Sequence, residues 1–296
     1  MKMIFKILRY SGLPFFFREV LQRNRVTILL FHDMPKSTAE KALRYLKQEY
    51  NIIRLEDYLE AVEMRDASRL PKKSLIITFD DGHIRNYELL PVIRELGIPI
   101  TIFLCAGIVG TNRHFWANYA TDELPIPKLK TMSNRERIRV LNEVGFEQEQ
   151  EFNTSQALSK QQINEMNELV NFQSHTLFHP SLPRCSDLEA YKEIVMAKET
   201  LEKDFGLKVN AISYPIGNYS NRDIEIARQS GHQCGVTVDY GFNTIDSDPF
   251  RMKRISANDT DNIDELVVKS SGLWAYLNSL LASRKLDYGF DPDPER

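Results

Sequence analysis

The chain has 296 residues, 42% hydrophobic and 27% charged, with a net charge of −3 and a pI near 6.1. That length and composition suit a globular protein with a substantial core, and the mild acidity gives no global basic field for nucleic acid. No apolar run reaches the roughly 18–20 residues of a spanning helix, and the three cysteines (Cys105, Cys185, Cys234) contain no C-x-x-C, so they read as free buried thiols of a reducing compartment.

Residues 1–25 carry six Lys/Arg against Glu19, a charge of +5 that leaves −8 for the remainder. Arg9 and Pro14 interrupt the apolar stretch and no small-residue cleavage site follows, so the segment is not expected to be a signal peptide. A cytoplasmic location is expected instead. Two readings stay open: a helix packed on the outside of the domain, or a basic amphipathic segment in peripheral contact with the inner face of a membrane.

From Val26 onward, strands alternate with helices. Val26–Phe31 is a nearly continuous apolar run, as in a strand buried on both faces. Ser37–Tyr50 is predicted to be a helix, followed by a strand at Asn51–Leu55 and a helix at Glu56–Met64. Ser74–Phe79 (strand), Arg85–Leu96 (helix stopped by Gly97) and Ile98–Leu104 (strand) continue the series. After an irregular stretch come Val170–Gln173 (strand), Asp187–Phe205 (helix before Gly206), Val209–Tyr214 (strand), Asn221–Ser230 (helix) and Cys234–Val238 (strand). About seven such strands predict an α/β fold, a distorted (β/α)7-type barrel over residues 26–270, with functional residues at the strand C-terminal ends. Residues 112–158 break the rhythm and are predicted to be a partly helical insertion over the site. It holds His114-Phe115-Trp116, a charged run at Asn134–Glu143 and the acidic Gly145–Phe152. Residues 271–296 are expected to form a C-terminal helix and a mobile tail containing Asp291-Pro292-Asp293-Pro294.

Two motifs follow apolar strands. Thr78-Phe79-Asp80-Asp81-Gly82 puts two carboxylates at a strand end, where consecutive side chains diverge. Ser174–Pro180 (SHTLFHP) spaces His175 and His179 four apart, so one helical turn would bring both imidazoles to one face. Two neutral imidazoles and one carboxylate are a common donor set for a catalytic divalent metal with an open position. One of the two aspartates can join the histidines, leaving the other to act on water as a general base.

These residues resemble the polysaccharide deacetylases of carbohydrate esterase family 4, whose first motif T-F-D-D-G is matched at residues 78–82 and whose second, H-[ST]-x-x-H, at residues 175–179. The resemblance covers roughly residues 26–258. It implies a distorted barrel, a divalent metal (usually zinc) on Asp81, His175 and His179, and Asp80 as catalytic base. The third family motif survives as Tyr214-Pro215-Ile216-Gly217 without its arginine, which in the family orients the catalytic Asp; Arg254, on a later strand, is the candidate replacement. The family's C-terminal acid histidine is absent. Phe31-His32-Asp33-Met34 is instead similar to the circularly permuted branch that deacetylates poly-N-acetylglucosamine, which carries the acid role to His32, with Asp33 as a nearby orienting carboxylate. Trp116 either stacks on a sugar ring or anchors the insertion. His83 is expected in solvent, and His114 and His232 are given no role. The implied partner is an N-acetylated saccharide, and a lipid- or nucleotide-linked sugar of exopolysaccharide or glycolipid synthesis is among the expected substrates. A sugar-binding relative without turnover and a metal-dependent amidase on a non-sugar substrate are the alternatives.

Overall fold

In the computed structural model, residues 2–257 and 259–282 are described; the expected tail motif at residues 291–294 lies outside them. The described residues form eight strands: β1 (Val26–Phe31), β2 (Asn51–Ile52), β3 (Ser74–Phe79), β4 (Ile100–Leu104), β5 (Val170–Ser174), β6 (Ala211–Ser213), β7 (Cys234–Val236) and β8 (Ile255–Ser256). All six residues of β1 and of β3 are buried, which is why both runs are apolar without alternation. The sheet runs β7-β6-β5-β4-β3-β1-β8, and every ladder in it is parallel.

Two irregularities make the barrel a distorted one. First, β3 shares one edge between two partners: β2 takes Ser74 and Leu75, and β4 takes Thr78 and Phe79. Second, the ring closes through very little. Met252 alone bridges to β7, its N–H on the Gly235 carbonyl (3.0 Å) and its own carbonyl on the Thr237 N–H (2.9 Å). Three residues later β8 pairs with Leu29 and Leu30 of β1. The (β/α) barrel expected from the alternation is therefore present, with β8 added. A two-residue strand carries no period that a sequence could display.

Side chains of successive strand residues alternate between two cores. Ile28, Ile76, Phe103, Ala211, Cys234, Val236 and Met252 fill the barrel interior. Leu29, Phe31, Leu75, Ile77, Phe79, Ile102 and Leu104 face the surrounding helices. Helices Lys36–Glu49, Leu55–Glu63, Leu90–Leu96 and Asn221–Gln229 match the predicted ones to within a residue or two, save that Leu90–Leu96 is preceded by a 3-10 turn over Ile84–Leu89. The insertion contains helices Ile126–Thr131 and Asn134–Glu143 and has a core of its own, in which Trp116, Leu129, Val140, Leu141 and Phe146 pack, with Ile216 against them. At the N-terminus, helical residues 2–21 lie against the helices Ile263–Ser270 and Leu273–Ala282, with Phe5 and Phe17 buried beside Val268 and Leu273.

Candidate active site

Asp80 follows β3 directly, in phase with the inward-facing Ile76 and Thr78, and is 3% exposed. Arg254, just before β8 and 1% exposed, meets it with two parallel bonds, Nη1 to Oδ1 and Nη2 to Oδ2, both 2.8 Å. The guanidinium is itself fixed by the Thr237 carbonyl (2.8 Å) and by the hydroxyls of Ser213 (2.9 Å) and Thr78 (3.3 Å). Ser213 also donates to Asp80 Oδ2 at 3.0 Å. Burial alone would raise the Asp80 carboxyl, but the Arg254 guanidinium bonded to it outweighs this and holds the group below its ordinary value, hence ionised at neutral pH.

Asp81, His175 and His179 present ligand atoms that all lie within 4.8 Å of one another. Asp81 Oδ1 is 3.5 Å from His175 Nε2 and 3.4 Å from His179 Nε2, while its other oxygen, Oδ2, receives His83 Nε2 at 3.1 Å. The Ser213 carbonyl, 2.7 Å from His175 Nδ1, can only accept. The proton therefore sits on Nδ1 and the Nε2 lone pair faces Asp81. Burial pushes His179 down to about 3, so this imidazole is neutral and free to donate its lone pair as well. Burial opposes the Asp81 charge, yet the imidazoles of His179, His83 and His175 keep that carboxyl well below its usual range. Two imidazoles and one ionised carboxylate, gathered in this way, fit a divalent cation.

The histidine loop is not the helical turn expected from its spacing. Residues 175–180 are irregular, and Thr176 (φ 65°) and His179 (φ 56°) are left-handed. Asp81 (φ 74°) shares that uncommon conformation, so three of the six non-glycine residues with positive φ among the described residues stand at this site. Gly82 (φ +76°) lets the Asp81 turn approach β4, because a Cβ there would come within 2.6 Å of the buried Leu104 side chain.

Residues 67–235 match the family described as polysaccharide deacetylase. The chain belongs to that family. Among the relatives of this polysaccharide deacetylase, YxkH of Bacillus subtilis is 23% identical over 78% of this chain and 71% of its own length. The poly-β-1,6-N-acetyl-D-glucosamine N-deacetylase of Staphylococcus epidermidis is 25% identical over 72% of this chain, a match that spans 64% of that relative. Of solved structures, IcaB from Ammonifex degensii superposes with a TM-score of 0.62 at 19% identity, over 85% of this chain and 98% of that one.

The other predicted residues of the deacetylase divide into two groups. His32 directly follows β1, its side chain 41% exposed. Its orienting carboxylate is not Asp33, which is turned outward into a two-pronged pair with Arg85. Asp259 lies beside His32 instead: it accepts the His32 backbone N–H at 2.9 Å, and its Oδ2 is 3.8 Å from His32 Nδ1. Of Tyr214, Pro215, Gly217 and Trp116, it is Trp116 that lies beside the cluster, its ring centroid 6.4 Å from that of His179. Tyr214 points to the outer layer, 0% exposed, against Gly235 and stacked on Tyr219. The turn Pro215–Gly217 lifts Ile216 onto the core of the insertion. Trp116 is 3% exposed with its indole N–H on the His179 carbonyl (2.9 Å), so it anchors the insertion and offers no face to a sugar. His83, expected in solvent, is turned in to Asp81. Ser213 was missed although it ties Asp80, Arg254 and His175 together; its only signal is its place in the chain, directly before Tyr214-Pro215.

Proposed function

We propose that the chain is a metal-dependent carbohydrate de-N-acetylase that hydrolyses the acetamide of an N-acetylated sugar in the making of an exopolysaccharide or glycolipid. The observation that carries this reading is the adjacency of the donor set Asp81–His175–His179 to an ionised, doubly bonded Asp80, with His175 Nε2 only 3.7 Å from Asp80 Oδ2. Asp81, His175 and His179 would hold a divalent ion, with zinc suited to two imidazoles and a carboxylate. When bound, that ion supplies Lewis acidity toward the acetamide carbonyl and acidifies a water.

The protein's own residues do the remainder. Asp80, kept anionic by Arg254, takes the proton of the attacking water. His32, steadied by Asp259, gives a proton to the departing amine, so that water and amide become acetate and a free amino sugar. The test is acetate release from N-acetylated oligosaccharides, measured with and without chelator and after zinc is restored. Release that survives complete chelation would remove the metal from the reading. Saccharide binding with no acetate release would leave a non-catalytic relative.

The same reading places the enzyme against the cytoplasmic face of a membrane. All three cysteines are unpaired, which fits a reducing compartment. The helical N-terminal segment exposes Met3, Ile7, Tyr10, Phe15 and Val20, each more than half accessible, among Lys2, Lys6 and Arg23. Apolar side chains interleaved with cations are the chemistry of binding to an anionic lipid surface. No helix among the described residues is long and apolar enough to cross a membrane.

A further inference from the structure

The helix that follows the histidine loop is α-helical over Asp187–Tyr191 and Ala197–Phe205, but Lys192–Met196 between them is a π-turn. Such a turn widens the helix by one residue and shifts the side chains on it out of phase. One of them is Glu193, 6% exposed beside the buried Ile194. A carboxylate in that position is costly unless it is bonded, and burial raises it above its ordinary value. Oε2 accepts the backbone N–H groups of Leu177 and Phe178, both at 2.9 Å. Both residues lie between His175 and His179. From the other side the insertion holds the end of the same loop, with Trp116 Nε1 (2.9 Å) and Arg137 Nη1 (3.3 Å) donating to the His179 carbonyl. Arg137 also lies over the Trp116 ring at 4.7 Å.

We infer that Glu193 is a positioning residue for the metal: delivered by the π-turn, it holds the left-handed His175–His179 loop in its ligating shape by gathering that loop's inner amides. The inference rests on the metal reading above. The zinc affinity of the full chain, by competition with a chromophoric chelator, tests it. Glu193→Ala is expected to raise the Kd about 10–100-fold, the usual loss when an outer-shell partner is removed. Glu193→Gln, whose Oε1 still accepts both amides, is expected to stay within about threefold of wild type. Unfolding midpoints of the metal-free proteins are taken alongside. Should Glu193→Ala not fold, Glu193→Asp, its carboxylate drawn back by one methylene, decides, with an expected loss of at least about fivefold. A folded Ala variant, or failing that an Asp variant, that binds zinc within about twofold of wild type overturns the inference and leaves the metal reading standing. A Gln variant as weak as the Ala variant overturns the hydrogen-bonding role. Wild-type protein that binds no zinc overturns both.

Discussion

A single ion pair, Asp80–Arg254, sets the character of the site. Both side chains are almost completely buried, and each holds the other's charge in place of water. Removing one partner of such a pair leaves an uncompensated charge in low dielectric, at a cost of about 3–5 kcal/mol. Arg254→Met is therefore expected to lower stability by about that amount in urea unfolding. It also removes what opposes burial at Asp80, so the acid limb of the pH–rate profile should move to higher pH; an unmoved limb would show that Arg254 does not control that carboxylate. Asp80→Asn keeps the shape and loses the base: acetate release should vanish while the zinc Kd changes by no more than about threefold. Full activity in that variant refutes the assignment. Sequence made these residues visible unevenly. The two motifs name Asp80, Asp81, His175 and His179 because each sits in a short local pattern. Arg254 is 174 positions from Asp80 and Asp259 is 227 from His32, and no local pattern distinguishes Asp259 from Asp33 as the carboxylate that reaches His32.

At the scale of elements, the long buried strands were legible and the irregular pieces were not. β1 and β3 announce themselves through unbroken apolar runs, whereas the histidine loop has helical spacing without helical geometry. Its backbone is bonded by Glu193, Trp116 and Arg137, partners supplied from elsewhere in the fold. The N-terminal helical segment is packed on one face and exposed on the other: Phe5 and Phe17 are buried, and Ile7 and Phe15 point out at 63% exposure each. Deleting the segment would strip the core beneath it, so the informative change is on its outer face. The double variant Ile7→Asp/Phe15→Asp should fold with an unchanged midpoint, since both sites are exposed. Its co-sedimentation with phosphatidylglycerol vesicles should fall at least about tenfold. Undiminished binding, or no binding by the wild type, would dismiss the membrane contact.

The whole molecule responds to pH through buried histidines. His232 is 4% exposed, and burial pushes it down to about 4; His179 is pushed down to about 3. In the unfolded chain both return to near 6.5. As pH falls below 6.5 the unfolded state takes up protons that the native state refuses, so stability declines, and it continues to decline until each native value is reached. His83, raised by its bond to Asp81 against burial, has the opposite sign: its contribution is full below 6.5 and is lost as pH rises through its folded value. In metal-free protein, His232→Asn should reduce the fall in unfolding free energy between pH 6 and pH 5 by about 1 kcal/mol, close to one proton's worth. Equal slopes in wild type and variant would mean that His232 is not held neutral.

The one-residue closure at Met252 has a kinetic consequence. Arg254 lies two positions beyond that bridge and just before the two residues of β8, so the strand pairing of the arm that carries it is short, and its guanidinium bonds to Asp80, Ser213, Thr78 and Thr237 are a large part of what fastens it. Amides there should exchange with deuterium well before those of β3 and β4, because short pairings open at lower free energy than core ladders. Each opening withdraws the guanidinium from Asp80 while the rest of the barrel stays folded. On heating, catalysis should therefore fade ahead of the main calorimetric transition and return on cooling, an inactivation that precedes unfolding and is reversible because only the seam has parted.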